Sequence, residues 1–457
     1  MTFLEKMAQY NAVIMACVLC VSYRGGMSMN KLKKNKAFCK IISHRIFINL
    51  GDSLFYIILM WVLYDLTKNS FYTAIGGFMF SLSDVLNFFV GPIIDRCGKE
   101  KLLAITSGIA FFVIAGLCFF SLGNMLNVWI LVFSIPLFNL TSRITYSIHN
   151  VVVPAIVSKD ELVTANSILS MTNTGIDLLF NAISGVLLVV LSIQEILLIN
   201  STINLLALLV ALLILRSAML VRKQSVEVEN QFKVKADERK ADLKEYWCSY
   251  LKDLKSGLMF IRNRTILSLI IPLVGLNLLY AIMLVNLPAF SSEVFGSAIG
   301  YGLVLTFFAV GSISGSMISS FLVKHFAVGK LIPILFLYGG TSWVLMTLLV
   351  KQIPVAGVIF MIVAMNALGV TNIIFGTLFQ QLPSANMIGR VNTVNLSLMA
   401  VAALLGSLLG GIITQVSDSI FPFFLCGLGY LLISFVMGIN RLVRRLPFMN
   451  EINEKML

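Results

Sequence analysis

Long apolar segments recur along almost the whole chain and are separated by short polar breaks. Hydrophobic residues make up 58% of the 457 residues, charged residues only 12%, and the mean hydropathy is +0.93. This composition excludes a water-soluble protein. A helix needs about 20 apolar residues to cross a hydrocarbon core about 30 Å thick. Twelve segments meet that length, with predicted limits 42–66, 72–94, 101–122, 127–150, 162–190, 194–218, 264–290, 297–323, 330–350, 353–381, 388–416 and 420–440.

These segments predict an all-α polytopic membrane protein whose twelve transmembrane helices form two six-helix bundles. The N-terminal bundle is predicted over 29–218 and the C-terminal bundle over 264–446, followed by a tail at 447–457. Between the bundles, 219–263 is dense in charge, and its apolar residues recur at helical spacing. We expect this linker to be cytoplasmic and to contain an amphipathic helix whose basic residues contact anionic lipid, although a regulatory role stays open.

Residues 1–28 do not fit this scheme. Their apolar run, Asn11–Ser22, is too short to cross a bilayer. Gly25-Gly26 is followed by Met27 and Met29, and the stretch from Met29 is an ordinary polar lead-in. We therefore expect the functional protein to begin at Met29, with 1–28 a mis-assigned extension.

Positive charge is distributed unevenly between the two sets of connectors. One set carries only Lys68 and Lys351, which by the positive-inside rule predicts cytoplasmic N and C termini. The net charge of +13 then suits an anionic lipid surface and predicts no nucleic-acid partner. The basic residues of the opposite set are Lys31, Lys33, Lys34, Lys36, Lys40 and Arg45 before span 1, Arg96, Lys99, Lys101, Lys159, Lys324, Lys330 and Arg390 in alternate connectors, and Arg441, Arg444 and Arg445 after span 12.

The connector between spans 2 and 3 reads GPIIDRCGKEK. It resembles the G-x-x-x-D-R-x-G-R-K signature of the major facilitator superfamily, which implies a gating role. A short basic loop that merely obeys the positive-inside rule is the alternative. The residues that match the signature are Gly91, Asp95, Arg96, Gly98, Lys99 and Lys101.

The two halves of the chain repeat each other. Asn166 at the start of span 5 corresponds to Asn392 at the start of span 11, and Gly185 corresponds to Gly411, both pairs 226 residues apart (392 − 166 and 411 − 185). Repeated bundles with a site between them are typical of transporters. We therefore expect alternating access by rocking of one bundle against the other.

Four stretches carry a narrower resemblance: INLGDSLFYIILMWVLYDLTKNS, the connector at Gly91, NVVVPAIVSKDELVTANS and QQLPSANMIGRVNTV. They are similar to the macrolide-efflux-like branch of the superfamily over most of 42–440. The resemblance implies a bacterial inner-membrane secondary transporter that exports drug-like amphiphiles in exchange for protons.

Ionisable residues inside spans are costly and normally serve ions or substrate. Asp52, Asp84 and Asp177 lie in spans 1, 2 and 5, and Arg143 lies in span 4. We expect these four residues to couple protons, with Asp177 as the main carrier and Arg143 as its partner. Hydrogen bonding near the cytoplasmic end for Asp52, and gate contacts for Asp84, are structural alternatives. His149 is expected at the membrane interface.

The second half has no acid within its predicted spans, and its polar side chains predict a cavity lining. Hydrogen bonding between helices is the alternative. The candidates are Asn277, Tyr280, Trp343, Asn366 and Asn372.

The sequence predicts no cofactor, since no G-x-x-x-x-G-K-[ST] loop and no metal-ligand spacing is present. It also predicts no enzyme activity. The expected partners are a small-molecule substrate, protons and membrane lipid, with a monomeric protein. An importer or lipid-handling transporter of the same superfamily, and a non-transporting membrane scaffold or sensor, are the alternative functions.

Overall fold

The computed structural model describes residues 34–87, 98–158, 161–229, 263–296, 298–383 and 388–452, together with Leu32 and Met259. All regular secondary structure in these ranges is helical. The elements are α1 Lys36–Thr67, α2 Ser70–Asn87, α3 Lys99–Leu122, α4 Val128–Ile156, α5 Leu162–Val190, α6 Ile193–Glu229, α7 Arg264–Val285, α8 Leu287–Phe295, α9 Ala298–His325, α10 Val328–Leu349, α11 Pro354–Gln381, α12 Ile388–Val416, α13 Phe421–Ile439, α14 Arg441–Arg444 and a 3₁₀ turn at Met449–Glu451.

Ten of the described helices are long and apolar enough to cross a membrane. The other two long helices are α2 and α5, which carry Asp84 and Asp177. With these two, the long helices correspond one to one with the twelve predicted spans. The prediction of an all-α polytopic membrane protein with twelve long helices is confirmed.

Span 7 differs from its predicted limits of 264–290. Helix α7 ends at Val285, and a separate short helix, α8, begins at Leu287. Pro288 lies in the first turn of α8, and because proline has no N–H and its ring crowds the preceding turn, it favours a break at this point. Asn286 stabilises the break, since its Nδ2 donates to the carbonyl oxygens of Ile282 (2.7 Å) and Gly410 (3.1 Å).

Glu293 ties α8 to two neighbouring connections. It forms an ion pair with Lys351 Nζ (2.7 Å) and accepts a hydrogen bond from Ser419 Oγ. Burial acts to raise the pKa of Glu293, but the hydrogen bonds from Lys351 and Ser419 outweigh it and hold the pKa below its ordinary value. The connections α10–α11 and α12–α13 are thereby fixed to α8.

The described part of the predicted C-terminal tail packs on the second bundle. The Val328 N–H donates to the Pro447 carbonyl oxygen (3.0 Å), and Gly329 donates to Leu446 (3.2 Å). Met449 and Ile452 are buried in the same hydrophobic core as the helices of that bundle. Residues 447–452 therefore belong to the packed second half.

Three predictions concern residues outside the described ranges in whole or in part. The proposed start at Met29 and the signature residues Gly91, Asp95 and Arg96 lie outside them, as does most of the predicted linker. The linker begins as a continuation of α6, which extends to Glu229 instead of ending at the predicted 218.

The two halves meet near the connection between α1 and α2, which we call the α1–α2 end. Thr73 Oγ1 lies 2.7 Å from the Val285 carbonyl oxygen, and the Trp61 ring stacks on Tyr301 with centroids 5.6 Å apart. Helix α2 packs on α12, and α5 packs on α9. These contacts close the space between the halves at the α1–α2 end.

Helices α9 and α11 cross at small residues. A Cβ atom on Gly315 would lie 2.1 Å from the Asn366 backbone oxygen, which no side chain tolerates. We expect Gly315→Ala to lower the free energy of unfolding by about 1–3 kcal/mol or to prevent folding, because the two backbones must separate. Thermal unfolding in detergent measures this. Gly376→Ala on α11 is the matched control, since nothing lies within 4 Å of its Cβ position, and equal melting temperatures for the two variants would contradict the close crossing.

Candidate functional site

A cavity of about 530 Å³ lies among the helices of the first half. Its volume is in the range of small-molecule sites. Of the described residues, those that line it all come from α1, α2, α4 and α5: Arg45, Asn49, Asp52, Ser53, Tyr56, Ile57, Phe80, Asn139, Arg143, Tyr146, Asn173 and Asp177.

Helical periodicity explains why these residues face one space. Residues three, four or seven apart lie on one face of a helix. On α5, Asn173 and Asp177 are separated by one turn. The same spacing gives one polar stripe on each of two further helices, comprising Arg45, Asn49, Asp52 and Tyr56 on α1 and Asn139, Arg143 and Tyr146 on α4.

Arg143 pairs with Asp84, not with the predicted partner Asp177. Its Nε lies 2.5 Å from Asp84 Oδ1, and the two side chains are 41% and 37% exposed. The prediction assumed that consecutive spans are neighbours, but α4 packs along α2 and barely touches α5. The ion pair therefore links α2 to α4.

Asp52 is held by neutral donors from α4. Ser142 Oγ donates to Oδ1 (2.6 Å), and the Tyr146 hydroxyl donates to Oδ2 (2.5 Å). Hydrogen bonds to a carboxylate stabilise its charged form. Asp52 is thus well compensated although it has no ion-pair partner in the described part of the chain.

Asp177 is the least compensated of the three carboxylates. It accepts a hydrogen bond from Ser53 Oγ (2.7 Å), and it is exposed. No basic side chain in the described ranges lies within ion-pair distance of it. Asp177 also lines the cavity and is more exposed than Asp52 and Asp84.

Arg45 is a site residue that sequence reasoning misplaced among the basic residues preceding span 1. It lies within α1 and is 4% exposed. Its Nε donates to Asn173 Oδ1 (2.8 Å), and its guanidinium lies 4.2 Å from the centre of the Tyr146 ring. The spacing of Arg45 with Asn49 and Asp52 was the signal that could have placed it.

His149 was expected as an interfacial side chain, but it does not lie on the protein surface. Its side chain is fully buried, and its Nε2 lies 2.9 Å from Nδ1 of His44, which is also fully buried.

The five second-half candidates do not line this cavity. Trp343 is 1% exposed and packs against Phe308 and Phe423 in the core, which excludes contact with a substrate in this conformation. Asn366 donates to Ser314 Oγ (2.9 Å) and accepts from the Tyr338 hydroxyl (3.0 Å), so it bonds helices together.

The other three candidates have different surroundings. Asn277 Nδ2 lies 2.9 Å from Met399 Sδ, Tyr280 is half-buried, and Asn372 is exposed.

The described part of the signature is the start of α3. Gly98 precedes the helix, and Lys99 and Lys101 lie in its first turn. Within the described ranges, no group of three or more histidine, cysteine, aspartate or glutamate side chains is placed to hold a metal ion.

Comparison with known families matches residues 45–407 to the Major Facilitator Superfamily. No curated protein matches the chain. Among solved structures, the chain is similar to the peptide transporter POT in complex with sulfate, at 12% identity and a TM-score of 0.63, over 91% of this chain and 96% of the other. It is also similar to a mutant of the nucleoside transporter NupG, at 16% identity and a TM-score of 0.60, over 87% and 97% of the two chains. At these identities the similarity is one of fold.

Proposed function

This chain belongs to the major facilitator superfamily, and from that membership we propose that it exports amphiphilic drug-like compounds, peptides or metabolites in exchange for protons. Membership makes it a multi-pass secondary transporter of a small molecule and not an enzyme. The direction of transport, the identity of the substrate and the coupling to protons are proposals. The macrolide-efflux-like stretches of the sequence support export.

The proposal of proton coupling is supported mainly by the environment of Asp177. A coupling group must bind and release a proton in each cycle, and a carboxylate fixed by an ion pair or by several donors resists protonation. Asp84 has the Arg143 guanidinium and Asp52 has two hydroxyl donors, whereas Asp177 has Ser53. Asp177 is therefore the proposed proton carrier.

The cavity lining supports a substrate with both a charged and an apolar part. Asp177 and Asp52 offer negative charge, while Tyr56, Ile57 and Phe80 offer aromatic and aliphatic surface. A cation is attracted both to carboxylates and to aromatic faces. An amphiphile with a cationic group fits this arrangement.

The polar character of the same lining favours a second candidate, uptake of a small polar solute. Of the described lining residues, only Ile57 and Phe80 are apolar. The two similar structures are of a peptide transporter and a nucleoside transporter. Dipeptides and nucleosides therefore belong in any substrate panel.

The macrolide-efflux-like resemblance supports a bacterial inner-membrane protein, and the charge distribution supports cytoplasmic N and C termini. The α1–α2 end, which carries Lys68, then faces outward. Because the contacts between the halves close that end, the cavity is proposed to be open to the cytoplasm, in the inward-facing step of alternating access.

Proton movement in inverted membrane vesicles tests this proposal. Respiration acidifies the vesicle lumen, and ethidium, erythromycin, dipeptides or nucleosides are then added while luminal pH is followed. We expect alkalinisation with at least one amphiphilic cation, because each substrate molecule entering the lumen releases protons from it. Asp177→Asn is expected to abolish the proton signal, since an amide cannot carry a proton.

Asp65→Asn is the matched control, since Asp65 lies at the α1–α2 connection in an exposed pair with Lys68. Asp65→Asn is expected to give the same proton signal as the native protein. Acidification of the lumen on addition of dipeptides or nucleosides would favour the second candidate, because an importer that carries substrate and protons in the same direction would bring both into the lumen. An undiminished proton signal in Asp177→Asn would exclude Asp177 as the carrier.

A further inference from the structure

A buried histidine pair lies beside the cavity without lining it. His44 on α1 and His149 on α4 are fully buried, and His44 Nδ1 lies 2.9 Å from His149 Nε2. His44 Nε2 lies 2.9 Å from Ser107 Oγ on α3. At the other end, His149 Nδ1 lies 3.4 Å from Arg45 Nη1. The result is a continuous chain of polar contacts from α3 to the cavity wall.

The ends of this chain determine which nitrogens carry protons. Ser107 has one hydroxyl proton, which it donates to the Leu103 carbonyl oxygen (2.8 Å), so its oxygen can only accept from His44 Nε2–H. Arginine has no acceptor, so Arg45 must donate to a bare Nδ1 on His149.

Both ends require the same state of the pair. His149 Nε2–H then donates to the bare Nδ1 of His44, and every contact in the chain has one donor and one acceptor. An additional proton on either ring would make two N–H groups face each other in a fully buried site, which is costly. The geometry therefore requires two neutral histidines, each with its proton on Nε2.

The positively charged Arg45 side chain is therefore held only by neutral acceptors among the described residues. It donates to Asn173 Oδ1 (2.8 Å) and lies 3.4 Å from both the Tyr146 carbonyl oxygen and His149 Nδ1. Within the described ranges, no carboxylate is within ion-pair distance of it. Yet Asp52 and Asp177 line the same cavity. A guanidinium freed from its acceptors would be drawn toward these carboxylates.

We propose that His44 and His149 form a neutral positioning pair that holds Arg45 away from the cavity carboxylates and so leaves Asp177 free to exchange protons. The state of the pair is independent of substrate. Its effect on Asp177 rests on the proposed function.

Nitrogen NMR of histidine-labelled protein in detergent tests the state of the pair. The chain has three histidines, so His44→Gln and His149→Gln assign the signals, and His325, exposed at the end of α9, supplies a solvent-accessible reference. We expect both buried rings to show neutral Nε2–H tautomers that persist from about pH 5 to pH 8. Protonation of either ring in that range, or an Nδ1–H tautomer on either, would overturn the proposal.

Two substitutions at His149 separate positioning from a general structural role. In His149→Asn, the amide oxygen can occupy the Nδ1 position and still accept from Arg45, whereas the amide of His149→Gln reaches the Nε2 position and keeps only the His44 contact. We expect His149→Asn to retain most substrate-driven proton movement and His149→Gln to lose about tenfold. Adding Arg45→Gln to His149→Gln is expected to restore proton movement, because the Arg45 guanidinium then no longer competes for Asp177.

Equal losses in the two His149 variants, or no recovery in the double variant, would reject the positioning role. If the native protein moves no protons with any substrate, the proposed function fails. The NMR experiment still decides the state of the pair in that case, because it needs no substrate.

Discussion

Arg143→Gln is expected to abolish transport and to reduce the amount of folded protein in the membrane. The substitution removes the only cation paired with Asp84 among the described residues, and it leaves that carboxylate partly withdrawn from water. Loss of one partner of such a pair costs more than the pair contributes, because the remaining charge has no compensation. The pair also links α2 to α4, and α2 packs against α12 of the other half. Ethidium export and protein yield measure the two effects.

The double variant Arg143→Gln with Asp84→Asn removes both charges and keeps two groups that can hydrogen bond. We expect it to recover yield close to the native level, since no unpaired charge remains. Lys68→Gln is the matched control, because it removes one partner of an exposed ion pair (Lys68 Nζ to Asp65 Oδ1, 2.6 Å), and exposed pairs contribute little. Equal losses of yield in Arg143→Gln and Lys68→Gln would show that Asp84 does not need its partner.

The sequence predicted the helices well because each span must satisfy its own backbone within the hydrocarbon core. Length and hydropathy are local properties, so twelve segments could be counted without knowledge of packing. The break at Asn286 was missed because 265–290 contains no charged residue that would interrupt the span. Only Pro288 signals it, and proline is tolerated inside membrane helices when neighbours satisfy the freed groups.

The candidate site was predicted less completely because it depends on which helices are neighbours. Asp52, Asp177 and Arg143 were recognised from their charge alone, and all three line the cavity. The partner of Arg143 could not be deduced, since nothing in the sequence reveals that α4 packs on α2 and not on α5. Arg45 was misread because a basic residue near the start of a span also satisfies the positive-inside rule.

The second half shows a different limit of sequence reasoning. Polar side chains within apolar spans can face a cavity or a neighbouring helix, and their spacing is the same in both cases. Asn366 bonds Ser314 and Tyr338, and Trp343 lies in the core. The carboxylates of the first half were easier to interpret, because an ionised group inside a bilayer costs free energy at most positions.

A substitution at the closed α1–α2 end is expected to have the second large effect on transport. A Cβ atom on Gly411 of α12 would lie 2.4 Å from the Ala74 Cβ of α2, across the contact between the halves. Gly411→Ala therefore disfavours this closed arrangement. Overpacking costs about 1–3 kcal/mol, which shifts a two-state balance by roughly 5- to 150-fold. We expect at least about a fivefold loss of ethidium export with normal protein yield, because alternating access requires the closed state in each cycle.

Transferring the methyl group across the same contact tests this cause directly. The double variant Ala74→Gly with Gly411→Ala keeps one methyl group between α2 and α12, and the next atom near the new Cβ is Phe71 Cα at 3.5 Å, an ordinary contact. We expect it to regain most of the lost export. Gly116→Ala on α3, where nothing lies within 4 Å of the Cβ position, is the control for the glycine-to-alanine change itself. If the double variant remains as slow as Gly411→Ala, steric closure at the α1–α2 end does not limit transport.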